Sequence, residues 1–242
     1  TDNCNTTSWK IYTPIGEVIY VNGGGLIPSP GLTQGLHTVT YQAEDACGNI
    51  TELQVDLTVK DELAPGAICD EITDVNLSSD GYAHVSASVF DDGSFDNCCL
   101  DNFVVARMED GCGETALDFG PTVSFCCEDI NNSPVMVVFR AYDCDGNWNE
   151  CMIEAYVHDK LPPILINCPG PQTITCDYYW EEIEVPLALG QYTILDQFGT
   201  PSYADNCDYD ITPTTNVNID QCGNGTINRT WQAVDPSGNG PT

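Results

Sequence analysis

The chain has 242 residues, with 37 Asp plus Glu against 6 Lys plus Arg, a formal net charge of -31, and 14 Cys, 21 Gly and 15 Pro. Such a charge repels nucleic-acid phosphates and anionic lipid, which are bound through Lys and Arg, so neither is expected as a partner. A hydrophobic share of 42% against 18% charged residues suits a packed core, and no apolar run nears the roughly 20 residues that span a bilayer, so no membrane insertion is expected and any secretion signal lies outside this stretch.

In chain order, the first element is the string "DNC" at Asp2 to Cys4. "GGG" at Gly23 to Gly25, between "VIYVN" and "LIPSP", reads as a hairpin turn: it opens no helix and no Lys follows it, so it is not a phosphate cradle. "DACGN" begins at Asp45, and Leu53, Val55, Leu57 and Val59 then alternate with Glu52, Gln54, Asp56 and Thr58, the pattern of a half-buried strand. That strand runs into "LTVKDELAP", ending at Pro65. "DNC" returns at Asp96 to Cys98, "DCDGN" at Asp143, and "AYVHDKLPP" closes at Pro163, with alternating strands over 135–142 and 151–157. The aromatic run Tyr178, Tyr179, Trp180 reads as core or interface packing before it reads as a carbohydrate platform. A third "DNC" occupies Asp205 to Cys207, a strand covers 227–234, and "DPSGN" starts at Asp235.

Three copies of one unit are therefore present: 1–62, 63–160 and 161–242. No stretch of helical periodicity with caps stands out. Short alternating strands joined by Gly, Pro, Asn and Asp turns predict an all-β chain of tandem immunoglobulin-like antiparallel β-sandwich domains. Only the middle copy holds both a leading segment and a trailing strand. The first lacks its first strands and the third its last, which fits either a window from a longer tandem array or strands supplied by neighbouring chains.

"DNC", "YQAEDACGN" with its trailing strand, and "VHDKLPPILINCP" resemble the hyalin-repeat (HYR) module and its immunoglobulin-like relatives. The resemblance covers all three copies and is closest, in acidity and Cys content, to the surface adhesins of Bacteroidetes. It implies an extracellular, cell-surface location, export by type IX secretion and adhesive or structural work. The chain departs from the pattern where Pro236 replaces the Cys of the third "DxxGN" loop, and in the additional cysteines of the second copy.

Fourteen cysteines without paired CxxC zinc spacing point to an oxidising compartment and disulfides. Six Asn-x-Ser/Thr sequons, at Asn5, Asn49, Asn76, Asn131, Asn224 and Asn228, are compatible with that. The copies hold 2, 8 and 4 cysteines, even in every case. Cys4 and Cys47 have no other partner within their copy, and closing their loop contributes about 4 kcal/mol on the chain-entropy estimate. By repeat alignment Cys98 or Cys99 takes Cys144 and the other takes Cys112. Cys69 pairs with Cys151. Cys207, its distant partner replaced by Pro236, turns to Cys222. Cys126 and Cys127 form a vicinal bridge or pair elsewhere, and Cys168 pairs with Cys176 or with a strand missing from the third copy.

In an immunoglobulin-like topology the "DNC" and "DxxGN" loops lie at the end of a unit that faces the preceding linker. Asp61 is then expected beside Asp96, Asn97, Asp143 and Asn147, and Asp159 beside Asp205, Asn206, Asp235 and Asn239. Clustered Asp and Asn oxygens suit a hard divalent cation, and calcium is the expected cofactor, stiffening the hinge between copies. The competing readings are that Asp and Asn cap turns and that bulk acidity reflects a saline habitat.

No constellation for enzyme chemistry stands out. His37, His84 and His158 sit on different alternating strands, and no carboxylate pair is singled out for glycoside hydrolysis. The chain reads as a non-enzymatic adhesin or fibre region, with neighbouring repeats, copies of itself and surface glycans as candidate partners. A self-assembling filament joined by strand exchange and a carbohydrate-binding accessory module are the alternatives.

Overall fold

The computed structural model describes residues 6–19 and 32–240. Cys4, Asn5, the first "DNC" and the Gly23 to Gly25 turn lie outside them. The chain is built mainly of β-strands in antiparallel sheets, is disulfide-rich, and forms two compact units. One comprises Thr1–Gly66, Phe95–Asn102 and Ala141–Asn149, the other Ala67–Ser94, Phe103–Arg140 and Glu150–Thr242.

In the first unit, strands β1 (Thr6–Thr13), β2 (Gly16–Ile19), β3 (Gly35–Asp45) and β4 (Ile50–Val59) form an antiparallel sheet in the order β2-β1-β3-β4. The ten-residue register of β3 on β4, from Gly35 with Val59 to Glu44 with Ile50, follows from the tight Asp45–Asn49 turn. Ile11 and Val39 are buried on this sheet. The alternation of β4, which predicts one buried face, is not matched by burial. Val55 keeps 44% of its surface and Leu57 37%. A period of two assigns side chains to a face but does not say whether anything covers that face.

The remaining strands are β5 (Ile72–Asn76), β6 (Tyr82–Ser86), β7 (Leu100–Arg107), β8 (Thr122–Cys126), β9 (Val135–Asp143), β10 (Trp148–His158), β11 (Ile164–Asn167), β12 (Ser202–Ala204), β13 (Asp210–Ile219) and β14 (Gly225–Val234). They form a sheet ordered β5-β10-β9-β7 and the antiparallel pairs β6–β8, β11–β12 and β13–β14. One pairing departs from the antiparallel expectation: β5 runs parallel to β10, from Ile72 with Glu154 to Asn76 with His158. Phe90, Val105, Val123, Phe125, Val137, Phe139 and Ile153 are fully enclosed, each contributing about 1.5–3 kcal/mol by leaving water. Within this core Asp129 holds Arg107 through two hydrogen bonds of 2.9 and 2.6 Å, and the same guanidinium donates to the Ser124 carbonyl.

A helical stretch in the third copy departs from the sequence expectation. Cys176–Tyr178, Tyr179–Ile183 (a π turn) and Glu184–Ala188 run on without a break, followed by a 3₁₀ segment at Tyr192–Phe198. Thr175 caps the start by accepting from the Tyr178 N–H. Tyr179, Ile183, Leu187 and Leu195 form a small core with Ile219 and Ile227. The spacing of four from Tyr179 to Leu187 is the helical signal, and the adjoining aromatic run masks it.

Four disulfides occur among the described residues: Cys69–Cys151, Cys99–Cys144, Cys112–Cys126 and Cys127–Cys207. Cys112 therefore bonds neither Cys98 nor Cys99, and Cys207 bonds Cys127 rather than Cys222. Cys126 ends β8 in the interior, where Arg107 and Asp129 bring the Cys112 loop to it. Cys127, the next residue, emerges toward the third "DNC" loop. Cys98, Cys168, Cys176 and Cys222 are unpaired.

Candidate metal centres

The Asp-to-Asn turns are built alike. In the Asp143–Asn147 turn, Oδ1 of Asp143 accepts from the N–H groups of Asp145 (2.9 Å) and Asn147 (2.8 Å), and the Asn147 amide donates to Oδ2 at 2.7 Å. In the Asp235–Asn239 turn, Asp235 accepts from the Asn239 N–H and side-chain amide, both at 2.8 Å. Asp45 with Asn49 repeats the scheme, and Asp220 at the β13–β14 hairpin, in a further such string ("DQCGN") not among the repeats read from the sequence, repeats its two backbone bonds. These bonds are turn chemistry.

Two of the turns meet other acids. One carboxylate oxygen from each of Asp61, Asp96 and Asp143 lies within 4.8 Å of the other two, and Asp159, Asp205 and Asp235 repeat the arrangement. In the first cluster the Asn147 amide also donates to the Asp61 carbonyl (3.1 Å), and Asn97 donates to the Asp61 carboxylate (3.2 Å). In the second, Asn239 donates to the Asp159 carbonyl (2.8 Å) and Asn206 to the Asp159 carboxylate (3.2 Å). The asparagines thus lash each connecting peptide to its turn. Cys99–Cys144 ties together the two loops of the first cluster. In the second, Gly81 leaves room for Asn206: its φ is +79°, and a Cβ there would stand 2.6 Å from the Asn206 carbonyl oxygen.

Hydrogen bonds do not exhaust these oxygens. Asp96 Oδ1 in the first cluster, and Asp159 Oδ2, Asp205 Oδ2 and Asn206 Oδ1 in the second, are buried without a donor. Asp159 is only 1% exposed. Burial pushes the Asp205 carboxyl above its ordinary value, one backbone N–H from Asn206 opposes this, and the charges of Asp159 and Asp235 add to the rise. Burial acts the same way on Asp143, but the Asn147 side chain and the turn N–H groups outweigh it and hold Asp143 below the usual carboxylate range. The donor set, three carboxylates plus amide and carbonyl oxygens, matches a hard cation such as calcium. The Asp61 carboxylate, with burial, holds the Cys98 thiol above its ordinary value.

A third group, Cys112, Cys126 and Asp129, is no metal centre: the two sulfurs are bonded to each other and Asp129 is occupied by Arg107. The histidines stay on their strands, His84 sharing a hydrogen bond with Ser124 across β6–β8 and His158 one with Asp74 across β5–β10. Among the described residues no helix is long and apolar enough to cross a membrane.

No protein-family model matches the chain, and no curated protein matches it in sequence. Among solved structures it is similar to the fibronectin(III)-like modules of CbhA from Clostridium thermocellum, at 9% identity and a TM-score of 0.28, over 72% of this chain and 87% of that one.

Proposed function

We propose that this is a non-enzymatic, extracellular repeat region of the surface-adhesin kind, in which disulfides and calcium fix the acidic loops to the connecting peptides. One observation carries the reading: carboxylates at homologous places converge twice, with one buried oxygen that no donor satisfies in the first cluster and three in the second. Turn capping accounts for the loops at Asp45 and Asp220, whose internal bonds are the same. It does not account for Asp159 Oδ2 or Asp205 Oδ2, because an oxygen used as a cap has a donor. Three carboxylates gathered without a cation repel one another, and a divalent ion turns that repulsion into six to eight favourable contacts. Lashing each linker to the following loops would stiffen a tandem string, which suits display of an adhesive surface to neighbouring repeats or to glycans.

Calcium titration calorimetry with elemental analysis tests this. Binding at both clusters is expected, abolished at one by Asp159→Asn and unaffected by Asp45→Asn. A protein that carries no calcium and melts identically with and without chelator removes the cation from the proposal.

A further inference from the structure

Three unmet side chains in the third copy lie close in the repeat, and the middle copy shows what meets their counterparts. Matching Asp61 with Asp159 and Cys69 with Cys168 lays 171–175 on β5, and matching Asp143 with Asp235 lays β14 on β9. In the middle copy β10 lies between those two strands, parallel to β5 and bonded to β9. In the third copy a groove of about 540 Å³ lies between 169–175 and β14, the segments matched to β5 and β9, and is lined by Ile174, Tyr179, Phe198, Ile227, Arg229 and Trp231.

The first is apolar. Ile174 is 36% exposed where its counterpart Val75 is 4% exposed beside β10. The second is a thiol: Cys168 is exposed and unpaired, whereas Cys69 is bonded to Cys151 of β10. The third is polar. Arg229, with a side chain 10% exposed, stands where the middle copy has Val137 and lies 4.9 Å over Trp231. It donates through Nη2 to Asp196 (2.7 Å), while Nε and Nη1 have no acceptor.

We infer that this groove accepts an extended polypeptide segment of the repeats' own last-strand type, whose cysteine bonds Cys168 and whose inward polar side chain meets Arg229. Such a segment adds main-chain hydrogen bonds along the free edge of β14 and along 171–175. Its register follows from the first copy, where Val39 is partnered by Val55. Val39, Val137 and Arg229 hold one place in the repeat, and Val55 and Ile153 the place opposite. An acceptor such as Glu at that opposite place satisfies the buried guanidinium, and an aliphatic side chain leaves it unpaired. The inference does not depend on the cation reading.

The test uses the 242-residue chain and a peptide of sequence Trp148–His158 whose cysteine is activated as a 2-pyridyl disulfide. The Cys168 thiolate attacks the peptide sulfur, the new S–S bond forms as the old one breaks, and 2-thiopyridone leaves with the electron pair, so no external oxidant enters. Mass spectrometry then reads which of Cys98, Cys168, Cys176 and Cys222 is captured. Capture at Cys168 is expected, and an Ile153→Glu peptide is expected to react about tenfold faster than the unaltered one, the ratio for one satisfied buried polar group. Arg229→Val reverses that order, and the milder Arg229→Gln levels it. Capture spread evenly over the four thiols, or a scrambled peptide with its cysteine in place reacting equally well, overturns the acceptor groove. Equal rates for the two peptides on the unaltered protein overturn the role of Arg229.

Discussion

The two acidic clusters share residue types and places in the repeat but differ in how well their charges are met. Around Asp61, the Asp96 carboxylate receives the N–H groups of both Cys98 (2.8 Å) and Cys99 (2.9 Å), which leaves one buried oxygen without a donor. Around Asp159, Asp205 receives a single N–H, from Asn206, and three oxygens are orphaned. The second "DNC" loop curls back on its own aspartate. The third is bonded through Cys207 to Cys127, and its Asn206 amide points to the Ser78 carbonyl and Asp159. The first cluster is largely satisfied by protein donors, whereas the second keeps three buried oxygens without a donor, for which a cation is the proposed partner. A motif repeated letter for letter can thus have two energetic states, set by which backbone groups the loop brings along.

That contrast is broken or sharpened most strongly by calcium itself. At about 100 times the dissociation constant, one site gains about 2.7 kcal/mol, which moves Tm by roughly 5–10 °C for a chain of this size. The Asp159 cluster is expected to fill first in a titration, and tighter binding at Asp61 reverses the ranking. Next in size are paired substitutions followed by denaturation in chelator. Asp96→Asn weakens two charge-assisted hydrogen bonds and lowers stability by about 1.5–3 kcal/mol. Asp205→Asn relieves repulsion and raises stability, so equal signs for the two erase the distinction.

The pH response follows in size. In the cation-free protein the folded Asp205 holds its proton above the ordinary carboxyl value, so its effect on stability turns unfavourable as pH rises from 3.8 through that raised value. Asp143 acts oppositely: its contribution is present above 3.8 and is lost as pH falls through its lowered value. Carboxyl chemical shifts followed by NMR from pH 2 to 7 check both directions. Smallest is Asp45→Asn, in an exposed turn with the same bonds and no companion acids, expected to lower Tm least of these variants and equally with and without calcium.

The repeat spacing made the ten Asp and Asn positions legible, because a loop recurring at one place in each copy has one structural address. The orphaned oxygens were not, since Asp96 and Asp205 both open a "DNC" string and only the hydrogen-bond geometry separates them. Cys69 with Cys151 follows from strands that border in sequence logic, first with last. Cys112 with Cys126 depends on the buried Arg107–Asp129 pair, which no spacing announces. Cys127 with Cys207 joins residues 80 apart, on segments whose adjacency the alternation of strands does not encode.

By itself the sequence determined the β architecture and the identity of the recurring acidic loops, because alternation, turn chemistry and repetition are local properties of the chain. Tertiary structure alone decided which faces are covered, which thiols meet and which carboxylates lack donors. Val55 and Ile153 hold the same place in the repeat, yet one is 44% exposed and the other enclosed. The difference is made by β5 and the core of the middle copy, neighbours that no residue of the strand itself specifies.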